Sequence, residues 1–215
     1  MRPSSRKKRD AALKAAERQF LATGYESVTM DSIAAESGIA KQTLYTYFGS
    51  KRELFLELVS ARTMAATARV LTDVPEIDAT TDPRAALRAV LKFQLKTVLT
   101  PVLLRVRRLV IGELPRSPEL AEALYRHGPR RAIEKLAAML RRFDAVGSLE
   151  VADPDTVATH LNWLVMGEPM NRAMHLGEEA AAMSDEETER HVDAALDTFF
   201  HGAVNARSTD RAQGR

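Results

Sequence analysis

The chain has 215 residues, 45% of them apolar, which is enough for one large hydrophobic core or two modest ones. It contains no cysteine, so a disulfide framework, a thiol redox sensor and a thiolate metal site are excluded. The formal charge is only +2, too small to mark the whole chain as a polycation, but it is unevenly spread. In the first eighteen residues Arg2, Arg6, Lys7, Lys8, Arg9, Lys14 and Arg18 face only Asp10 and Glu17.

In chain order, Ala12, Leu13, Ala16 and Phe20 fall on one helical stripe over residues 8–23, and Gly24 is placed to cap its end. Two short helices follow, turning at Gly38, with Ile33, Ala34 and Ile39 and then Leu44 and Phe48 as their apolar sides. Thr29 is placed to cap the first of them. On the second, residues 41–48, Gln42 and Thr46 lie opposite the Leu44/Phe48 stripe at 100° per residue, flanked by Thr43 and Tyr45. That polar, aromatic outer face suits the DNA major groove, where amide, hydroxyl and methyl-contacting groups read base edges. Lys51 opens a longer helix carrying Leu54, Phe55, Leu58 and Val59, expected to run to about Leu71.

Residues 73–81, with Pro75, read as a loop. Beyond it Asp82-Pro83, Ser117-Pro118 and Asp153-Pro154 each set an N-cap residue before a proline at the first helical position. Gly128-Pro129 is expected to kink or split the helix begun at Ser117. Ser184 and Glu187 form a capping box ahead of a last helix with Val192, Ala195, Leu196, Phe199 and Ala203 along one side. No strand-like alternation occurs. The expectation is an all-α fold of about nine helices.

The order Thr29, Ile33-Ala34, Gly38-Ile39-Ala40, Thr43-Leu44-Tyr45 and Phe48-Gly49-Ser50-Lys51 resembles the DNA-binding domain of the tetracycline-repressor (TetR) family across roughly residues 8–58. The stretch 108–129 is similar to one subgroup of that family's ligand domains. Two departures stand out: Ala40 replaces a serine that often caps the recognition helix, and Gln42 is not the small residue often found there.

The resemblance implies an N-terminal helix-turn-helix domain over residues 1–50 and a bridging helix plus effector-binding and dimerisation domain over 51–205. A polar tail at 206–215 follows. It further implies a double-stranded DNA operator, a small-molecule effector and a homodimer as partners. DNA contacts are assigned to Thr29, Lys41, Gln42, Thr43, Tyr45, Thr46, Tyr47 and Lys51, with Arg6, Lys7, Lys8 and Arg9 as a basic arm for phosphates or the minor groove. For Tyr45 and Tyr47 packing within the corner is the competing role, and for the arm a merely solvated charge run.

Trp163, Met166, Met170 and Met174 recur at helical spacing and are candidates for an effector cavity or for plain core. The near-repeat of residues 109–113 and 164–168 sets a glycine beside Glu113 and Glu168, which adds these carboxylates, with Asn162 and Asn171, as polar anchors. The dimer interface is expected along Leu161, Leu164, Val192, Leu196 and Phe199. The five histidines show no zinc spacing, and neither a G-x-S-x-G elbow nor a P-loop is present, so no catalytic residue, metal or cofactor is assigned.

No apolar run approaches the ~20 residues of a membrane span, and the N-terminus has no signal-peptide core, so a cytoplasmic location is expected. The reading is a homodimeric repressor released by a small apolar or amphipathic effector. Three alternatives remain: an activator or a protein-controlled relative, a helical enzyme with an appended DNA-binding module, and a nonspecific architectural DNA binder.

Overall fold

The computed structural model describes residues 3–72 and 76–201. The expected tail at 206–215, Arg2, Ala203 and the first part of the expected loop lie outside them. The described residues form an all-α fold with helices α1 (Pro3–Thr23), α2 (Met30–Ser37), α3 (Lys41–Phe48), α4 (Lys51–Thr72), α5 (Pro83–Val98) and α6 (Pro101–Glu113). These are followed by α7 (Pro118–His127), α8 (Pro129–Ala145), α9 (Pro154–Leu176), α10 (Glu178–Ala181) and α11 (Asp185–His201).

The two helices beyond the expected nine have local causes. Thr100-Pro101 repeats the cap-plus-proline signal, and it divides what reads as one helix into α5 and α6. Gly177, at φ 93°, breaks the chain ahead of the four-residue α10. Conversely α9 runs unbroken through Pro169.

The expected caps form as hydrogen bonds. Asp82 accepts from the Arg84 N–H, Asp153 accepts from Thr156, and Ser184 and Glu187 exchange a reciprocal pair at 3.1 and 2.7 Å. Ser117 is the exception, with no cap bond from its side chain. Gly128-Pro129 splits its helix completely, ending α7 and starting α8.

Two main cores result. One gathers Ala12, Phe20, Ile33, Leu44 and Phe48 around Leu54, Phe55, Leu58 and Val59 of α4, and draws in Val106 and Val110 of α6 and Leu120 of α7. The division at residues 50/51 therefore passes through a core, and the first half of α4 belongs to the DNA-reading unit. The other core packs Leu87, Val90, Leu91 and Leu95 of α5 against Leu136, Leu140 and Phe143 of α8, Leu161 and Val165 of α9, and Val192 and Leu196 of α11.

Along the outside of this second core α5 and α11 are laced by a four-rung charge ladder. Arg84 pairs with Asp197, Arg88 with Asp193, Lys92 with Glu189 and Lys96 with Asp185. Every rung is four residues from the next on each helix, the spacing that keeps side chains on one face of each of two antiparallel helices.

Candidate DNA-reading face and effector cavity

The helix-turn-helix corner is held by local chemistry. Thr29 forms a capping box with Ser32: its hydroxyl accepts from the Ser32 N–H at 3.0 Å, and the Ser32 hydroxyl accepts from the Thr29 N–H at 3.2 Å. Gly38 closes α2 in the left-handed region at φ 67°, where a side chain would strain the backbone. Ala40 makes no side-chain cap, so the start of α3 is set by packing of Leu44 and Phe48 rather than by a hydroxyl.

Gln42, Tyr45 and Thr46 stand exposed on the outer face of α3, opposite buried Leu44 and Phe48, while Thr43 is half-buried. The Thr46 hydroxyl donates to the Gln42 carbonyl at 2.8 Å, leaving its lone pairs outward. Lys41 is exposed and pairs with Asp31 at 2.7 Å, a surface contact weak enough to be exchanged for a phosphate.

Three more of the expected contacts have protein partners of their own. The Tyr47 hydroxyl lies 3.0 Å from the Ser5 hydroxyl on α1, and its ring packs half-buried against the first core. Lys51 donates to the Tyr25 carbonyl at 2.9 Å and lies over the Tyr25 ring, 4.3 Å from the centroid. That contact ties the start of α4 to the turn after α1. Arg9 pairs with Glu57 and lies 5.0 Å over Phe48. The run Arg6, Lys7, Lys8, Arg9 is thus the first turns of α1 rather than a separate arm, and only Arg6, Lys7 and Lys8 are exposed.

A cavity of about 80 Å³ lies between α4, α5, α6, the α7–α8 junction and α9. On this scale one water needs about 10–15 Å³, so there is room for a small organic molecule rather than for solvent alone. Of the expected effector residues, Asn162, Trp163, Met166 and Met170 line it. The other three expected anchors do not. Glu168 is exposed and pairs with Arg172 at 3.5 Å; Asn171 is exposed on the same outer side of α9. Glu113 is buried at the far end of α6, 3.8 Å from Arg116, where its charge helps burial push the Tyr25 phenol upward. Met174 packs beside the small Leu104–Met170–Ala173 cluster.

The near-repeat misled because its glycines serve no close approach: a Cβ at Gly112 or Gly167 would meet nothing within 4 Å. The lining residues missed by sequence reading include Thr63 and Thr67 on α4, Gln94 and Thr97 on α5, and Arg107 on α6. Gln94 and Asn162, both buried, share a 2.9 Å hydrogen bond across the cavity wall, and this buried amide in an otherwise apolar α5 stripe was the available signal.

The expected interface residues also divide. Leu161, Val192 and Leu196 are fully buried in the protomer's own second core, so no partner surface can reach them. Phe199 is half-buried against that core, and Leu164 is exposed. The stripe on α11 is apolar because it faces α5 and α9 of the same chain.

A helix-turn-helix carried on a larger helical domain with an internal cavity defines a DNA-binding regulator with its own ligand-binding domain. The family model described as "Bacterial regulatory proteins, tetR family" matches residues 12–58, and "AefR-like transcriptional repressor, C-terminal domain" matches residues 85–202. The chain belongs to the TetR family of transcriptional regulators, a regulatory rather than an enzyme family.

Among solved structures it is similar to a TetR-family regulator from Mesorhizobium loti, at 29% identity and TM-score 0.83, covering 92% of this chain and 97% of that one. It is also similar to the flavonoid-responsive regulator FrrA, at 32% identity and TM-score 0.76, covering 90% and 95%. The HTH-type transcriptional regulator YezE of Bacillus subtilis is 27% identical over 144 residues, 65% of this chain and 72% of that protein. No helix among the described residues is long and apolar enough to cross a membrane, and none of their His, Asp or Glu side chains form a group of three or more able to hold a metal ion.

Proposed function

We propose that this protein is a cytoplasmic, homodimeric repressor that reads an operator with the outer face of α3 and leaves it when a small amphipathic effector enters the cavity. The observation that carries the reading is the double membership of two helices. Leu54, Phe55, Leu58 and Val59 of α4 sit in the core of the DNA-reading unit, and Thr63, Ala66 and Thr67 of the same helix line the cavity. On α6, Val106 and Val110 enter that core while Leu103 and Arg107 line the cavity. No flexible joint separates ligand from recognition helix, so an effector that binds the two arrangements of α4 and α6 unequally must shift DNA affinity by the same free energy. A hundredfold loss corresponds to about 2.7 kcal/mol.

Repression is favoured by the C-terminal match, and a small aromatic or amphipathic effector by the likeness to a flavonoid-responsive relative. The dimer follows from DNA geometry, because one short recognition helix spans few base pairs and specificity needs two copies on a nearly palindromic site. Exposed Leu164, on the outer side of α9, is the apolar residue offered to the partner. The test is selection of bound fragments from genomic DNA, followed by titration of the recovered operator with candidate effectors. A monomer that binds one specific site tightly, or an operator complex indifferent to every compound that occupies the cavity, would overturn the reading.

A further inference from the structure

We infer that the cavity is built for an amphipathic acid, an apolar body with one carboxylate whose headgroup is held by Arg107. This rests on the reading of the cavity as the effector site and names the chemistry of its ligand.

Arg107 is the one charged side chain in a lining otherwise made of Thr, Gln, Asn and apolar residues. Its neighbours on α6 are differently placed. Arg105 donates to Glu178 at 2.8 Å, and Arg108 reaches both Glu178 and the Ala173 carbonyl. Arg107, half-buried, lines the cavity, and no carboxylate or hydrogen-bond acceptor among the described residues is paired with its guanidinium. Burial alone displaces its pKa, downward, with no counter-charge to offset it.

A guanidinium cannot shed its proton at any physiological pH, so it remains a cation in an apolar pocket and lacks a counter-ion. Such a group is costly unless something pairs with it, and a carboxylate matches its two-pronged donor geometry.

The remaining polar lining is neutral. The hydroxyls of Thr63, Thr67 and Thr97 already donate to the carbonyls of Val59, His127 and Phe93 at 2.7, 2.7 and 2.8 Å. Their spare lone pairs accept and cannot hold a carboxylate. The amides of Gln94 and Asn162 keep N–H groups of their own, but Arg107 alone brings a positive charge, and Val98, Leu103, Leu124, Met166 and Met170 are presented to an apolar body. Trp163, lining the cavity yet 48% exposed, stands at its mouth.

Trp163 is the chain's only tryptophan, so its fluorescence reports occupancy without DNA. The experiment titrates octanoate and cinnamate against their neutral primary amides, by fluorescence and calorimetry, on wild type, Arg107→Gln and Arg107→Lys. Wild type should bind the acids at least roughly tenfold more tightly than the amides, the expected scale for a charge-assisted pair. Arg107→Gln should lose that preference while keeping the amides, and Arg107→Lys should retain part of it. Arg107→Gln should also melt no lower than wild type, since it removes a charge with no internal partner; a lowered melting temperature would point to a structural role instead.

Equal binding of acid and amide by wild type, equal weakening of both by Arg107→Gln, or binding of neither would overturn the assignment. Failure of the regulatory reading looks different: acids would bind through Arg107 yet leave the operator complex intact. Release by a neutral compound, unchanged in Arg107→Gln, would overturn the assignment and leave that reading standing.

Discussion

The Thr67 hydroxyl, in the last third of α4, donates to the His127 carbonyl at the end of α7 at 2.7 Å. This bond joins the helix that carries the DNA-reading unit to the α7–α8 junction at the cavity wall. Near the start of the same two helices Arg52 pairs with Glu119, so α4 and α7 are fastened at both ends of their contact.

Thr67→Val should remove the upper fastening without changing side-chain shape, at a cost of about 1 kcal/mol. The expected outcome is near-normal operator affinity with a several-fold weaker response to effector, measured by operator titration with and without ligand. An unchanged response would take this bond out of the coupling.

Replacing Gln42 or Tyr45 with alanine should cost roughly 1–3 kcal/mol for the preferred site and relax its sequence preference. Tyr47→Phe should leave sequence preference intact, because the Tyr47 hydroxyl is turned to Ser5. Lys51→Met should lower the melting temperature as well as DNA affinity, since it frees the Tyr25 carbonyl. Competition binding against random DNA separates these cases. A proportional loss of specific and nonspecific binding for Gln42→Ala and Tyr45→Ala would refute base reading by this face.

How much of this was legible follows from the range of the interactions. The caps at Thr29, Asp82, Asp153 and Ser184 lie within three residues of the groups they serve, and each could be read before any tertiary contact was known. The outer face of α3 followed from helical periodicity alone. What stayed hidden depends on which neighbour a stripe meets. Val192 and Leu196 form the kind of stripe that a dimer helix would carry, and only the ladder from α5 reveals that this face is closed within the chain. Arg107 sits in an arginine-rich run with Arg105 and Arg108, and nothing local says which of the three turns inward.

The α5–α11 ladder gives a pH prediction. Hydrogen bonds from Arg88, Lys92 and Lys96 hold the Asp193, Glu189 and Asp185 carboxyls respectively below their ordinary values. A depressed folded-state pKa adds stability above the unfolded-state value, and that stability is lost as pH falls through the folded-state value. Unfolded carboxylates titrate near about 3.9–4.3, so the melting temperature should hold above this range and fall below it. Asp193→Asn should melt lower than wild type at neutral pH and show a shallower acid decline. High salt should reproduce part of the neutral-pH loss, because these groups are partly exposed. An acid profile identical in wild type and Asp193→Asn would show that this rung contributes nothing measurable.

Gly128 lies where the α7–α8 junction packs close against α4. A Cβ placed on it would lie 2.9 Å from the Leu124 carbonyl oxygen and 3.0 Å from the Thr63 Cγ2. Packing against these two atoms constrains the position. The carbonyl belongs to the last turn of α7 and cannot yield without moving that helix, whereas Thr63 can yield only by shifting α4. Gly128→Ala should therefore cost about 1–3 kcal/mol, the usual range for overpacking, and lower the melting temperature by several degrees. Adding Thr63→Ser removes the Cγ2 and should recover the part of that loss that lies between the two helices, a non-additivity read from a double-mutant cycle. If the spacing of α4 from this junction sets the separation of the recognition helices, Gly128→Ala should also shift operator affinity without any ligand, and Thr63→Ser should reverse the shift. A folded Gly128→Ala protein with both wild-type stability and wild-type operator affinity would show that this contact neither constrains α4 nor transmits the signal.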